Sequence, residues 1–286
     1  MNHWPVKKTN GGRTVRKNFK KILCLVMMAA IICTMLTGIA FAADPITVTV
    51  RIQGYSAGGN GGSILNEYQV TLNDSTGFTA YDALNKACGD KAISHIALGS
   101  GASTYVSSIG GQTEAYFTPN SSYYSGWMFR VWRGASPTTD ELPSYSCGAY
   151  TMQNGDKMTW YYAIPAESFY TCMSNYTSIQ SSYNEGSSFN VNVKAQKFTD
   201  IYNWILTGFN DLSGATVKLV RASDGALMAS GTTGANGNVS INVPQVTENT
   251  PCYLYIDNKF FTTGALNTGL QYVRSWSKSV TINNVP

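Results

Sequence analysis

Histidine is almost missing from this chain of 286 residues. There are two, and only His95 lies beyond residue 42. A serine hydrolase needs an imidazole base, and most zinc sites use one or more imidazoles. One histidine, flanked by apolar residues in Ile93-Ser94-His95-Ile96, leaves little room for either and reads as a partly buried, hydrogen-bonded side chain. Gly54-Tyr55-Ser56-Ala57-Gly58 has the letters of a nucleophile elbow, but a run of glycines and asparagine follows where the elbow needs a helix. Gly99-Ser100-Gly101 lacks the lysine of a phosphate loop. Asp140 and Glu141 are neighbours in a Pro/Thr-rich loop and not a spaced acid–base pair, and Asp211, Asp224 and Asp257 are scattered turn residues. The expectation is a protein that is not an enzyme and requires no cofactor or metal.

Charge is also scarce, at 13% of residues, and its sign misleads. The chain is formally +4, but seven of its 20 basic residues fall within residues 1–21. Beyond them stand 13 basic against 16 acidic residues, a net −3. No basic stripe for nucleic acid remains. The basic start, the apolar run Ile22–Ile39 and the small-x-small site Ala40-Phe41-Ala42 together read as a signal peptide over 1–42, with an uncleaved anchor as the rival. The remainder is expected to be secreted or extracellular, with association to the cell surface as a further option. Four cysteines follow the leader: Cys88, Cys147, Cys172 and Cys252. They permit two disulfides in three pairings, or four buried thiols.

Tyrosine, tryptophan and β-alternation are plentiful. Residues 46–55 and 67–73 alternate apolar and polar, as half-buried strands do. Thr79-Ala80-Tyr81-Asp82 opens a helix with Thr79 as cap and Gly89 as stop. Strand signals recur at 104–109, 126–133, 150–153 and 157–163, the last two flanking the turn Asn154-Gly155-Asp156. Residues 165–188 have no sustained period and read as a linker. From Phe189 the pattern is short strands only, with a hairpin at Ser223-Asp224-Gly225.

The motifs Thr79-Ala80-Tyr81-Asp82-Ala83-Leu84, Tyr105–Gly110, Ser125-Gly126-Trp127-Met128-Phe129-Arg130-Val131 and Tyr150–Tyr162 occur in one order. They resemble the bacterial relatives of the C-terminal domain of transcobalamin and intrinsic factor. The resemblance spans about 46–163. It implies an α+β, β-grasp-like domain at 43–164 and, as ligand, cobalamin or another corrinoid. Two departures stand out. Trp132-Arg133-Gly134 replaces the family's usual asparagine-containing end, and no paired-helix barrel is present to supply the other half of a cobalamin site. Residues 189–286 resemble bacterial immunoglobulin-like sandwiches, on Gly214–Val220, Asp224-Gly225 and Gly231–Gly237.

The candidate ligand surface is Tyr105, Tyr123, Tyr124, Trp127, Phe129 and Trp132. Strand alternation places Trp127, Phe129 and Val131 under the helix and Met128, Arg130 and Trp132 outward. The expected function is non-catalytic binding of a corrinoid. The alternatives are an adhesion module that binds carbohydrate or a cell-surface protein partner, and a structural spacer.

Overall fold

β-Branched residues alternating with polar ones form β1 (Ile46–Gln53), which pairs antiparallel with β2 (Ser63–Leu72). The computed structural model describes residues 43–55, 63–116, 124–134, 140–164, 168–200, 203–258 and 271–285. The leader and the glycine-rich turn at 58–62 lie outside these residues. Among the described residues no helix is long and apolar enough to cross a membrane.

After β2 comes α1 (Ala80–Asp90). Its start is as the sequence predicts: Thr79 Oγ1 accepts from the Asp82 N–H at 3.1 Å, and the Asp82 carboxylate accepts from the Thr79 N–H at 2.9 Å. The helix runs through Gly89, and the left-handed residue after it is Ala92, at φ 52°. Ala80, Ala83, Leu84, Ala87 and Cys88 form its buried face. Next come β3 (His95–Leu98), β4 (Tyr105–Ile109), β5 (Gln112–Thr113), β6 (Ala115–Tyr116), β7 (Tyr124–Trp132) and β8 (Lys157–Ala163). The main sheet of this half has the order β2-β1-β8-β7-β6, with β1 and β8 parallel. A small sheet, β3-β4-β5, lies apart from it. Residues 150–153 do not form the strand expected of them. Thr151 makes a single bridge to Thr79, and the Asn154-Gly155 turn is tied instead to β1, by Thr47 N–H to Asn154 Oδ1 at 2.9 Å and Gly155 N–H to Thr47 O at 2.8 Å.

One face of the sheet is a hydrophobic core in which Val50, Met158 and Val131, then Ile52, Trp160 and Phe129, stand side by side across β1, β8 and β7. The helix shares this core.

The second half is all strand: β9 (Ser168–Met173), β10 (Ser182–Asn184), β11 (Ser188–Gln196), β12 (Phe198–Asp200), β13 (Ile205–Leu206), β14 (Asn210–Asp211), β15 (Thr216–Arg221), β16 (Leu227–Thr232), β17 (Asn238–Asn242), β18 (Thr250–Ile256), β19 (Gln271–Val273) and β20 (Lys278–Asn283). One sheet runs β10-β20-β18-β15-β16, and another β14-β11-β9-β19 with β17 also on β11. Apolar residues of both sheets, among them Val191, Val193, Val217, Leu219, Leu254 and Ile282, share one core, which makes this half a β-sandwich. The hairpin at Ser223-Asp224-Gly225 forms as read, with Gly225 at φ 73°. Where the sequence suggests a linker over 165–188, residues 168–173 and 182–184 are strands of this sandwich. β9 lacks clean alternation because four of its last five residues are buried.

Candidate functional site

The register places a second array on the other face of the first sheet. Thr49, Lys157 and Trp132 form one row, Arg51, Thr159 and Arg130 the next, and Gln53, Tyr161 and Met128 the third. Alternation assigned Met128, Arg130 and Trp132 to this face correctly. The expectation that the face is open to a ligand does not hold, because the sandwich covers it. Trp132 is only 5% exposed; its ring meets Tyr176 edge-on at 5.0 Å and lies 6.4 Å from Trp276. Arg130 Nη2 donates to Gln196 Oε1, and its guanidinium lies 4.5 Å from the centre of the Tyr170 ring. Arg51 donates from Nε to Thr159 Oγ1 at 3.0 Å and stacks 4.2 Å from Trp276. Across the same junction Arg274 N–H donates to Gln53 Oε1, and the Ser277 N–H and hydroxyl donate to Glu67 Oε1. A third apolar cluster, Tyr161, Ala163, Tyr170 and Val273, lies here as well. Arg133, part of the Trp132-Arg133-Gly134 departure from the family pattern, anchors the 153–156 turn through Asp156, with Nε 2.9 Å from Oδ1.

The junction also holds charge that is poorly matched. Asp140, expected on an unconstrained loop, is buried and accepts from the Tyr170 hydroxyl. Burial pushes its carboxyl up to about 6, against the pull of that hydrogen bond and of Arg130, Arg51 and Lys157. Burial likewise pulls the Arg51 guanidinium below its ordinary range. Among the described residues Nη1 and Nη2 of Arg51, Nε of Arg130 and Oδ1 of Asp140 have no hydrogen-bond partner.

The open site is elsewhere. A cleft of about 290 Å³ is floored by Trp127, Phe129 and Trp160 and rimmed by Tyr105, Tyr145 and Trp204. The rim residues are 40%, 51% and 39% exposed, whereas Trp127 and Phe129 are nearly covered. Packing fixes the floor: Phe129 stacks on Trp160 at 5.2 Å, Trp127 meets Tyr162 edge-on at 5.5 Å, and the Trp127 indole N–H donates to Gln112 O at 2.7 Å. The wall that carries Tyr145 is pinned too. Cys147 Sγ donates to Thr104 O, and a Cβ on Gly148 would stand 2.0 Å from Gly101 O, so only glycine allows this approach. Trp204 comes from the sandwich half and has φ 54°, a left-handed backbone that bulky residues rarely adopt. Asp200 holds its turn by accepting from the N–H and the side-chain amide of Asn203. The Trp204 ring packs edge-on against Phe198 at 5.6 Å. Strain of this kind persists where the surroundings fix it, and functional sites are its usual setting.

Of the six residues read from sequence, Tyr105, Trp127 and Phe129 come together in the cleft and Trp132 does not. Tyr123 lies outside the described residues, as do residues 56–58 of the elbow-like motif. Tyr124 opens β7, and its side chain is not described. Tyr145, Trp160 and Trp204 were missed: Trp160 lies on β8 opposite Phe129, where strand pairing sets the neighbour, and for Tyr145 and Trp204 no local pattern marks an isolated ring in a loop as a neighbour of a distant strand. His95 is half-buried and held below the usual imidazole range by burial. Among the described residues no three His, Cys, Asp or Glu side chains are grouped to hold a metal.

All four described cysteines are free and buried. Burial pushes Cys88 and Cys172 up to about 12 and Cys147 to about 11, and raises Cys252. The thiolate is the reactive form. The native protein is therefore expected to bind a thiol reagent at neutral pH at least about 100-fold more slowly than the unfolded chain. Four equivalents of rapid labelling without denaturant would contradict this.

Residues 77–163, which contain α1 through β8, match a domain of unknown function (DUF4430). No curated protein matches the chain. Among solved structures, the BSP domain of a biofilm-associated protein is 13% identical over 86% of this chain, at a TM-score of 0.19. The chain spans 26% of that protein's length. A structure titled a putative bacterial DNA-binding protein, from Bacteroides vulgatus ATCC 8482, is 10% identical over 84% of this chain and 99% of its own, at a TM-score of 0.23. At these scores neither likeness bears on fold or function.

Proposed function

We propose that this chain is a secreted, non-catalytic binding protein whose aromatic cleft receives a flat ring of its ligand. The observation that carries this reading is the set of three half-exposed rings, Tyr105, Tyr145 and Trp204, around a rigid aromatic floor. Aromatic walls give large contact area at low entropic cost. The volume is at the low end of ligand pockets and suits one ring system. In this reading the first half is β-grasp-like, the second is an immunoglobulin-like sandwich, and the ligand to test first is the corrinoid that the sequence resemblance suggests. A corrin macrocycle exceeds the cleft, so it would lie across the rim with only an edge group inside. The same rim suits the apolar face of a sugar, the reading of an extracellular adhesion module.

The purified full chain, titrated with cyanocobalamin, should give a saturable change in the corrinoid absorption spectrum. Trp204→Ala and Tyr145→Ala should each weaken binding by roughly tenfold. A wild-type glycan-array signal that is lost in the same variants, with no spectral change, would select the sugar reading. Absence of both at high micromolar protein would overturn the proposal.

A further inference from the structure

A second pocket, of about 360 Å³, opens where the two halves meet and shares no lining residue with the aromatic cleft. Trp132, Gly155 and Lys157 enter it from the first half, and Tyr176, Thr177 and Lys278 from the sandwich. Both lysines are half-buried. The Lys157 ammonium lies 4.7 Å from the centre of the Trp132 ring and 5.5 Å from that of Trp276; the Lys278 ammonium lies 4.8 Å from that of Tyr176. Among the described residues neither ammonium forms an ion pair or a hydrogen bond. The acids that act on Lys157 from a distance are already engaged, Glu67 by Ser277 and Asp140 by Tyr170. Arg51, with its two terminal amino groups unpartnered, adds positive charge beside Lys157.

Two cations held together in a partly dry pocket are costly unless paired. Ring faces offset only part of that cost. The burden falls first on Lys157, whose ammonium burial destabilises; Glu67 and Asp140 offset part of this from a distance, while Arg51 and Lys278 add to it. We infer that this pocket is an oxyanion site, taking a carboxylate, sulfate or phosphate group between the ammonium groups of Lys157 and Lys278, with the Thr177 hydroxyl at the rim. The anion arrives either free or as a substituent of an acidic saccharide. Because the two lysines belong to different halves of the molecule, the bound anion also ties those halves together.

The test uses the full chain with two probes at matched ionic strength, sodium sulfate against sodium chloride, and a galacturonate trimer. Calorimetric titration should show saturable, one-to-one binding in the wild type. Lys278→Met, which keeps an unbranched apolar stem beside Tyr176, should weaken it about tenfold, and Lys157→Met at least as much. Sulfate stabilises folded proteins generally by exclusion from their surface, so the difference between wild type and variant is the readout. Tighter binding of the trimer than of sulfate assigns the site to a saccharide-borne group, and equal binding assigns it to the free anion. Identical responses of wild type and Lys278→Met to both probes would overturn the inference, whatever the aromatic cleft binds.

Discussion

Trp276→Ala is expected to be the most damaging single substitution at the junction, costing about 3–5 kcal/mol. The indole is 2% exposed and sits between Arg51, Lys157 and Trp132. Truncation opens a cavity and also removes the aromatic face on which a buried guanidinium rests. Among the described residues the Arg51 side chain has one other hydrogen-bond partner, Thr159 Oγ1. Against a total stability of about 5–15 kcal/mol this is a large fraction, equivalent to a fall in Tm of roughly 10 °C. The two halves have separate cores, so the loss should also split one unfolding transition into two. Scanning calorimetry reads both effects. An unchanged single transition would show that the hydrogen bonds of Gln53, Glu67 and Arg130 hold the junction without the indole.

Asp140→Asn is expected to act in the opposite direction and to stabilise the protein at neutral pH. The folded carboxyl titrates near 6 and the unfolded one near 3.8. The folded state therefore holds its proton more tightly, and ionisation costs stability as pH rises through that interval. Below about pH 3.8 both states are protonated, and the neutral acid sits comfortably beside Tyr170. Above about pH 6 the full penalty applies, up to about 3 kcal/mol. Asparagine keeps an oxygen that accepts from the Tyr170 hydroxyl and never ionises. Its advantage over aspartate should be greatest at pH 7 and should vanish once the pH falls well below 3.8. A denaturant melt at each pH measures the gap. A variant less stable than wild type at pH 7 would mean that Arg130, Arg51 and Lys157 need the negative charge more than burial opposes it.

The sequence was most informative where chemistry is local. The Thr79–Asp82 capping box, the hairpin at Asp224-Gly225 and the two faces of β7 all follow from residues a few positions apart. It was least informative about what covers a face once that face is identified. Period two separates Trp127 and Phe129 from Arg130 and Trp132, but it does not say whether the polar-looking side meets water or another sheet. The signal that was available is β8, KMTWYYA, in which every residue after Lys157 is buried. A continuous apolar run marks a strand packed on both sides. The same property hid β9 inside a supposed linker. Tyr145 and Trp204 reach the cleft through loop geometry, which spacing does not encode, and Asp140 looked solvated because its partner Tyr170 is 30 residues away.

The parallel pairing of β1 with β8 sets the order of events on a growing chain. Arg51 and its partner Thr159 are 108 residues apart, and Thr171, on β9, donates to Val273 across 102. Neither sheet is complete until distant segments have been made, so the early hairpin of β1 and β2 waits with one backbone edge unsatisfied. Closing such large loops before the contacts repay them makes for slow maturation and a long window for wrong partners. Molecular chaperones that shield the exposed edge of β1 are expected to raise the yield of folded protein.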